Sequence, residues 1–557
     1  MTSTLYRNGV VHSPTDPFAE AVLVADGQVA WLGSEDTVHT VLDGVDEVVD
    51  LDGALVTPGF VDAHVHVLET GLALTGLDLS ESAGIRSLGQ ALDAVAAAAR
   101  TARAAGGGGP LLAHGWDESR WPEGRAPTRT ELDSAAHGAP VFAARTDVHS
   151  AVVSSSFADV TGLLGLAGWA EDGRVTGEAH DRARRASRAV SPARYEELSR
   201  TALAAAAAAG IVSVHEHSSP SLDTVDGLRR LLAMSRQAAS GLPGVVGYRA
   251  QLCVTADDAR ALLEEIPGLS GIGGDLTVDG SIGSRTAALR EPYTGSERRA
   301  VARPGSGPPE GACGSLDLTA EQIANHVAAV TRAGSQAAFH VIGDRAMDEV
   351  LIGFQAASDV EGVGAVRQAG HRIEHAEMVD ARALSQMVLL GLTASVQPAF
   401  DARWGGPGAL YEQRLGAVRG AGLNPFADLA GAGVPLAFGS DSPVTPFDPW
   451  GAVAAAVLHH QPSQRISARA AFRAHTRGGW RAAGHHGEGE IRLGAPASLA
   501  VWRATSLAVQ APDGRIAAWS TDPRAGTPLL PELGPGLERP VCLRTLRDGV
   551  VLHDALG

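Results

Sequence analysis

The chain has 557 residues, 45% of them hydrophobic, and a formal net charge of −18. This is enough apolar material for a large packed core with appended modules and excludes a disordered chain, while the acidic balance excludes a nucleic-acid or anionic-membrane partner. All 45 basic residues are arginine, which excludes a Schiff-base lysine, a phosphate-loop lysine and a carboxylated-lysine metal bridge.

In chain order, residues 4–57 read as short strands separated by the turn signals Asn8-Gly9, Asp26-Gly27 and Asp52-Gly53. Met1–Val11 has no basic region followed by an apolar one, and no run of about 20 apolar residues occurs anywhere, so neither a secretion signal nor a membrane span is expected. "PGFVDAHVH" at 58–66 is an apolar strand ending in His64 and His66. Strand side chains repeat every two residues, so these imidazoles share a face, with Asp62 on the same side. Residues of about 72–195 break the rhythm that follows and read as an insertion after this first strand, forming a substrate-pocket wall.

From 195 onward, helix-like runs feed buried strands: "YEELSRTALAAAAAAG" into "IVSVHEH", "EQIANHVAAVTRAG" into "QAAFHVIGD", "DARALSQMVLLG" into "LTASVQPAF", and "FADLAGAG" into "VPLAFGSDSPV". Repeated helix-then-strand units predict a parallel sheet with crossover helices, either a barrel or a doubly wound sheet. No GxGxxG follows a strand, which weakens the dinucleotide-binding form. "RPGSGPPEGACG" at 303–314 is expected to be a surface loop. "GEIRLGAPASLAVW", "GRIAAWS" and "PVCLRTLRDGVVLHD" read as strands again, so the two ends are expected to build one β module. His485-His486 read as exposed loop residues. The three cysteines, Cys253, Cys313 and Cys542, show no CxxC spacing and fit a reducing cytoplasm.

The polar exceptions in the middle strands sit near their C-terminal ends: His64 and His66, then His215, Glu216 and His217, then His340, His375 and Asp441. In an α/β barrel the loops after the strands converge on that face. Neutral imidazoles and carboxylates suit zinc and similar cations. Four buried imidazoles and a carboxylate without partners would be costly, and one metal resolves the cost.

The series "PGFVDAHVH", "GWDESRWPEG", "PTRTELD", "DVHSAVVSS", "DGSIGSRTA", "FHVIGDRAMD", "RIEHAE" and "SDSPV" resembles the amidohydrolase superfamily, specifically its amidohydrolase-3 or YtcJ-like branch, which includes N-substituted formamide deformylases. The resemblance implies a distorted TIM (β/α)8 barrel over 58–484, with the insertion at about 72–195, and a small β-sandwich built from 1–57 and 485–557. It implies metal-site positions at His64, His66, His340, His375 and Asp441. Asp441 and His375 are then the catalytic pair, Asp441 as proton shuttle and His375 binding a second metal or orienting the water. Binuclear members often bridge two metals with a carboxylated lysine; the corresponding position here is Asp275. Asp275 or Glu216 could supply a shorter carboxylate, so one Zn2+ is favoured over two, with another divalent transition metal as the alternative. His149, Trp116, Asp117 and Arg285 are candidate substrate contacts.

The expected function is hydrolysis of a carbon–nitrogen bond other than a peptide bond in a small-molecule amide, N-formyl or N-acyl substrate, by a metal-activated water. A carbamate or ester hydrolase, or a deaminase using Glu216, is the alternative at the same centre. A non-catalytic scaffold is the rival of another class. The resemblance gives a homodimer as the family tendency.

Overall fold

The computed structural model describes residues 3–106, 109–295, 312–510, 519–520 and 527–556. Most of the 303–314 loop and of the 514–520 strand expected from the sequence lie outside these residues. Eight parallel strands form the central sheet: β1 (Phe60–Val65), β2 (Ile211–Ser218), β3 (Gly244–Arg249), β4 (Leu269–Ile272), β5 (Gln336–Val341), β6 (Arg372–His375), β7 (Thr393–Val396) and β8 (Leu436–Phe438). They are hydrogen-bonded in sequence order from β1 to β8. The ends are drawn together by a parallel bridge between Val65 and Ser442 and by the bond from Asp441 N–H to His64 O (2.8 Å). This nearly closed barrel, with register shifts in β1–β2 and β3–β4, is the distorted TIM barrel expected. The doubly wound alternative falls, because in-order pairing around a ring leaves no reversal point.

The crossover helices form where the sequence signals them. The helix Pro192–Ala208 starts with Ser191 capping Arg194 N–H and Pro192 in its first turn, and stops before Gly210 at φ 78°. It packs on the helix Val67–Thr75 that follows β1. A Cβ on Gly71 would lie 2.4 Å from the Leu198 carbonyl oxygen, so only glycine permits this close approach.

The two chain ends share a sheet. Leu55–Pro58 runs antiparallel to Leu499–Arg503, with Val56 opposite Val501, and Leu499–Arg503 in turn pairs with Val541–Arg547. A second sheet, built from Ser3–Arg7, Ala21–Ala25, Gln28–Gly33 and Glu47–Asp50, stacks on it through Tyr6, Val22, Val56, Val501 and Leu546. The segment after the first barrel strand carries its own five-stranded sheet, from Leu77–Asp78 to Arg174–Val175. Its core contains Trp116, Trp121, Leu132 and Val152. Among the described residues, no helix is long and apolar enough to cross a membrane.

The barrel interior departs from the branched aliphatic filling usual for the fold. Arg372, fully buried on β6, donates to Glu374 (2.8 Å), to Ala63 O (2.8 Å), to Ser395 Oγ (3.0 Å), to Tyr248 OH (3.0 Å) and to His215 Nδ1 (2.9 Å). Breaking a buried ion pair strands the remaining charge and costs about 3–5 kcal/mol. Arg372→Met is therefore expected to lower the unfolding free energy by an amount of that order, read as a lower denaturant midpoint at unchanged slope. A midpoint unchanged from the parent would show that the pair contributes nothing to stability.

Candidate metal centre

Seven titratable side chains from five strands meet at the C-terminal mouth of the barrel. His64 and His66 leave the end of β1 with their rings 5.3 Å apart. His64 Nε2 lies 3.5 Å from Asp441 Oδ1, and His66 Nε2 lies 3.3 Å from the same oxygen. Asp275, three residues beyond β4, stands in the middle: its carboxylate oxygens are 4.0 Å from His64 Nε2, 3.7 Å from His66 Nε2, 3.9 Å from His375 Nε2 and 2.9 Å from His340 Nδ1. Glu374 completes the group from behind His64.

The ring nitrogens turned away from this centre are each held. His64 Nδ1 is 3.0 Å from Glu374 Oε2, His66 Nδ1 donates to His217 O (3.0 Å), and His375 Nδ1 is 2.9 Å from Gln397 Oε1. Such contacts fix the tautomer and aim Nε2 inward. Asp62 plays a supporting part: its Oδ1 accepts the backbone N–H groups of His64 (3.3 Å) and Ser440 (2.8 Å), tying β1 to the loop that carries Asp441. His375 and Asp441 are both held at positive φ, 69° and 55°. Non-glycine residues in that region cost about 1–3 kcal/mol and concentrate at functional sites.

The electrostatics follow from the crowding. Burial opposes charge on His66, but Asp441 and Asp275 overcome it and push the imidazole up to about 9. His340 is likewise raised to about 9 by Asp275 against its burial. Asp275 is held well below the usual carboxylate range by His340, His375 and His66, again against burial. His64 Nε2 and Asp441 Oδ1 are buried with no hydrogen-bond partner. Unpartnered buried donors and acceptors facing each other across a His–Asp cluster fit a divalent cation. His64, His66 and Asp441 would hold it, with Asp275 beside them. His340 is differently engaged, because its Nε2 also faces a carbonyl, Gly280 O at 3.4 Å.

The centre opens into a narrow cavity lined by His375, Asp441 and His149 together with apolar and aromatic side chains. His149 lies with its ring 5.0 Å from that of His340. Its burial, then His340, push it down to about 4. Several expected site residues lie elsewhere. Glu216 accepts Val67 N–H (2.6 Å) and is pushed up to about 8 by burial and then Asp223. It points out of the barrel to the start of the helix that follows β1, because the period of two that turns His215 and His217 inward turns it outward. Trp116 is packed in the insertion's core with its Nε1–H on Ala143 O (2.9 Å). Asp117 caps the turn at 118–120 and faces Arg145 (3.4 Å). Arg285 donates to Thr294 O (3.1 Å) and stacks on Tyr293 at 5.8 Å. None of these three lines the cavity.

Other residues were not singled out by sequence reasoning. Glu374 and Gln397 orient two of the histidines. Asp147, two residues before His149, reaches the cavity paired with Arg145 (2.9 Å); although burial pushes its carboxyl up, Arg145 and His149 bring it down to about 2. Glu377, Phe400, Trp404 and Tyr411 complete the wall. The spacing His375–Glu377, two residues apart at a strand end, was the available signal for Glu377. The aromatic residues carry none, since on short helices they read as core.

The sequence matches the family described as "Amidohydrolase family" over residues 47–553. The YtcJ protein of Bacillus subtilis (strain 168) is 26% identical over 459 residues, covering 79% of this chain and 80% of that one. The N-substituted formamide deformylase of Arthrobacter pascens is 25% identical over 526 residues, covering 87% and 90%. Among solved structures, an uncharacterized metal-dependent hydrolase from Pyrococcus furiosus aligns with a TM-score of 0.66 at 26% identity, covering 90% of this chain and 98% of that one.

If Glu374 aims His64, then Glu374→Gln should weaken metal affinity about 10- to 100-fold, the usual cost of losing such an orienting partner. Equilibrium dialysis against zinc, paired with a thermal midpoint, checks this. An affinity within twofold of the parent would show that the contact orients nothing.

Proposed function

Because the chain belongs to the amidohydrolase family, we propose that it is a metal-dependent hydrolase of a carbon–nitrogen bond other than a peptide bond, acting on an amide, N-formyl or N-acyl small molecule. One observation carries the reading: His64 Nε2 and Asp441 Oδ1, buried and without hydrogen bonds at those atoms, face each other at 3.5 Å beside His66, with Asp441 and His375 lining the cavity above them. The similarity to the Arthrobacter pascens deformylase over most of both chains supports the type of bond.

A divalent cation there, taken as zinc, would polarise the carbonyl and lower the pKa of water to about 7. Asp441 stands at the cavity floor between His64 and His66 as an ionised carboxylate. It is placed to take a proton from the attacking water and deliver it to the departing nitrogen. His375, with Nδ1–H spent on Gln397 Oε1, turns an acceptor Nε2 inward and can hold the water's second hydrogen. His340 faces acceptors at both ring nitrogens, Asp275 Oδ1 and Gly280 O, which supports one tightly held cation over two. A deaminase needs a further acid near the ring it attacks. Glu216, the sequence candidate, is turned away, which supports amide-type hydrolysis.

Purified protein is expected to carry close to one equivalent of zinc. Chelation should abolish hydrolysis in a panel of N-formyl and N-acyl compounds, and zinc should restore it. Asp441→Asn should lower kcat by about 10²- to 10⁴-fold. Protein with well under one equivalent of any transition metal, and no hydrolysis gained on adding zinc, would refute the enzyme reading. Two equivalents, one of them lost in Asp275→Ala, would refute the single cation.

A further inference from the structure

The cavity above the candidate metal centre is acidic and aromatic. Three carboxylates line it, Asp147, Glu377 and Asp441, and among the described residues no arginine does. Two of the three are committed: Asp147 to Arg145, Ser281 (2.7 Å) and Ser284 (2.8 Å), and Asp441 to the histidines of β1. Glu377 is different. It is 3% exposed, its Oε2 has no hydrogen-bond partner, and among the described residues it forms no ion pair. The Tyr411 phenol stands beside it, between this carboxyl and Asn424, with no hydrogen bond of good geometry to either. A buried carboxylate without a cation is costly, and this one faces the space a substrate would enter.

The walls around it suit a cation on an apolar stem. Phe400 and Trp404 have ring centroids 4.8 Å apart at 59°, and Trp404 and Tyr411 are 6.3 Å apart at 64°. These rings share the cavity wall with the carboxylate, and an aromatic face turned to an ammonium group attracts it. Leu410, Ile282 and Ile342 supply the apolar part of the lining. Arg403, stacked on Trp404 at 5.5 Å, donates to Val444 O and lies outside the lining.

Taking the carbon–nitrogen hydrolysis above as the reaction, we propose that the substrate is an acylated or formylated diamine. Its second, free amine is bound as ammonium by Glu377 against the aromatic wall of Phe400, Trp404 and Tyr411. Glu377 is then a specificity residue, since it touches the substrate away from the bond that breaks.

Two measurements on the zinc-loaded, full-length protein test this. In the first, mono-N-formyl diamines are compared with N-formyl amino alcohols of the same chain length. The diamine derivatives are expected to have the higher kcat/KM by about ten- to hundredfold, the range of a charge-assisted hydrogen bond. That ratio should fall to within threefold in Glu377→Gln and survive in part in Glu377→Asp. In the second, primary alkylamines and matched alcohols are titrated calorimetrically, and the same preference and the same collapse in Glu377→Gln are expected. Circular dichroism and thermal midpoints confirm that the variants fold. Equal ratios in the parent, or an amine preference that persists in Glu377→Gln, as direct ligation of the amine to zinc would give, overturns the proposal. If no N-acyl compound is hydrolysed but the Glu377-dependent amine preference appears in the titrations, the reaction reading fails and the amine site stands.

Discussion

The guanidinium of Arg372 is the interaction on which the rest of the structure depends. It sits inside the barrel on β6 and donates to groups on β1, β2, β3 and β7 as well as to Glu374 on its own strand. A charge taken out of water requires acceptors in several directions, and only the closed ring of strands brings these five together. The same network sets up the centre above it. Glu374, held by Arg372, is the acceptor for His64 Nδ1. His215, accepting from Arg372, stays neutral, its imidazole held well below its ordinary range by burial and then by that cation. The polar floor of the barrel and the cluster at its mouth are one connected hydrogen-bonded unit.

Above that floor the chain stores strain and charge in the same few residues. His375 and Asp441 are held left-handed, and Asp441 is strapped to β1 through His64 O and the Val65–Ser442 bridge. Such conformations persist where the surroundings over-determine them. The insertion adds to this. Arg184, on its helix Gly177–Ser187, donates to Glu69 (2.8 Å) on the helix just behind His66. The insertion also delivers Asp147 and His149 to the cavity. The cavity is therefore composite: barrel-loop residues form its floor, the insertion forms one wall, and short helices after β7 contribute the aromatic rings.

Much of this was legible in the sequence. Helix-then-strand units, with a glycine such as Gly210 between them, gave the alternation of the barrel, since capping and periodicity are local properties. His64 and His66 could be paired because strand pleating is local too. The same pleating applied to "VHEH" turns His215 and His217 to one face and Glu216 to the other, so Glu216 could have been excluded as an accessory carboxylate. Trp116 and Asp117 were misread because the insertion has its own core and capping needs, and Arg285 because an arginine in a loop looks the same whether it meets substrate or a backbone carbonyl. Phe400, Trp404 and Tyr411 were missed because an aromatic on a helix shows no sign of facing a cavity.

What the sequence determined by itself is what short-range rules govern: the element types, the residues that share a strand face, the β character of both ends, and the absence of any lysine to bridge a metal site. What only the tertiary structure decided is which charges meet. Asp275 stands between two pairs of histidines, Glu374 behind His64, Glu377 alone among aromatic rings, and Asp441 beside a strand that ends 376 residues earlier in the chain. Coulombic and hydrogen-bonding partners are fixed by distances of a few ångströms in space. Those distances arise from closing the barrel and docking the insertion, and they leave no local mark on the residues that take part.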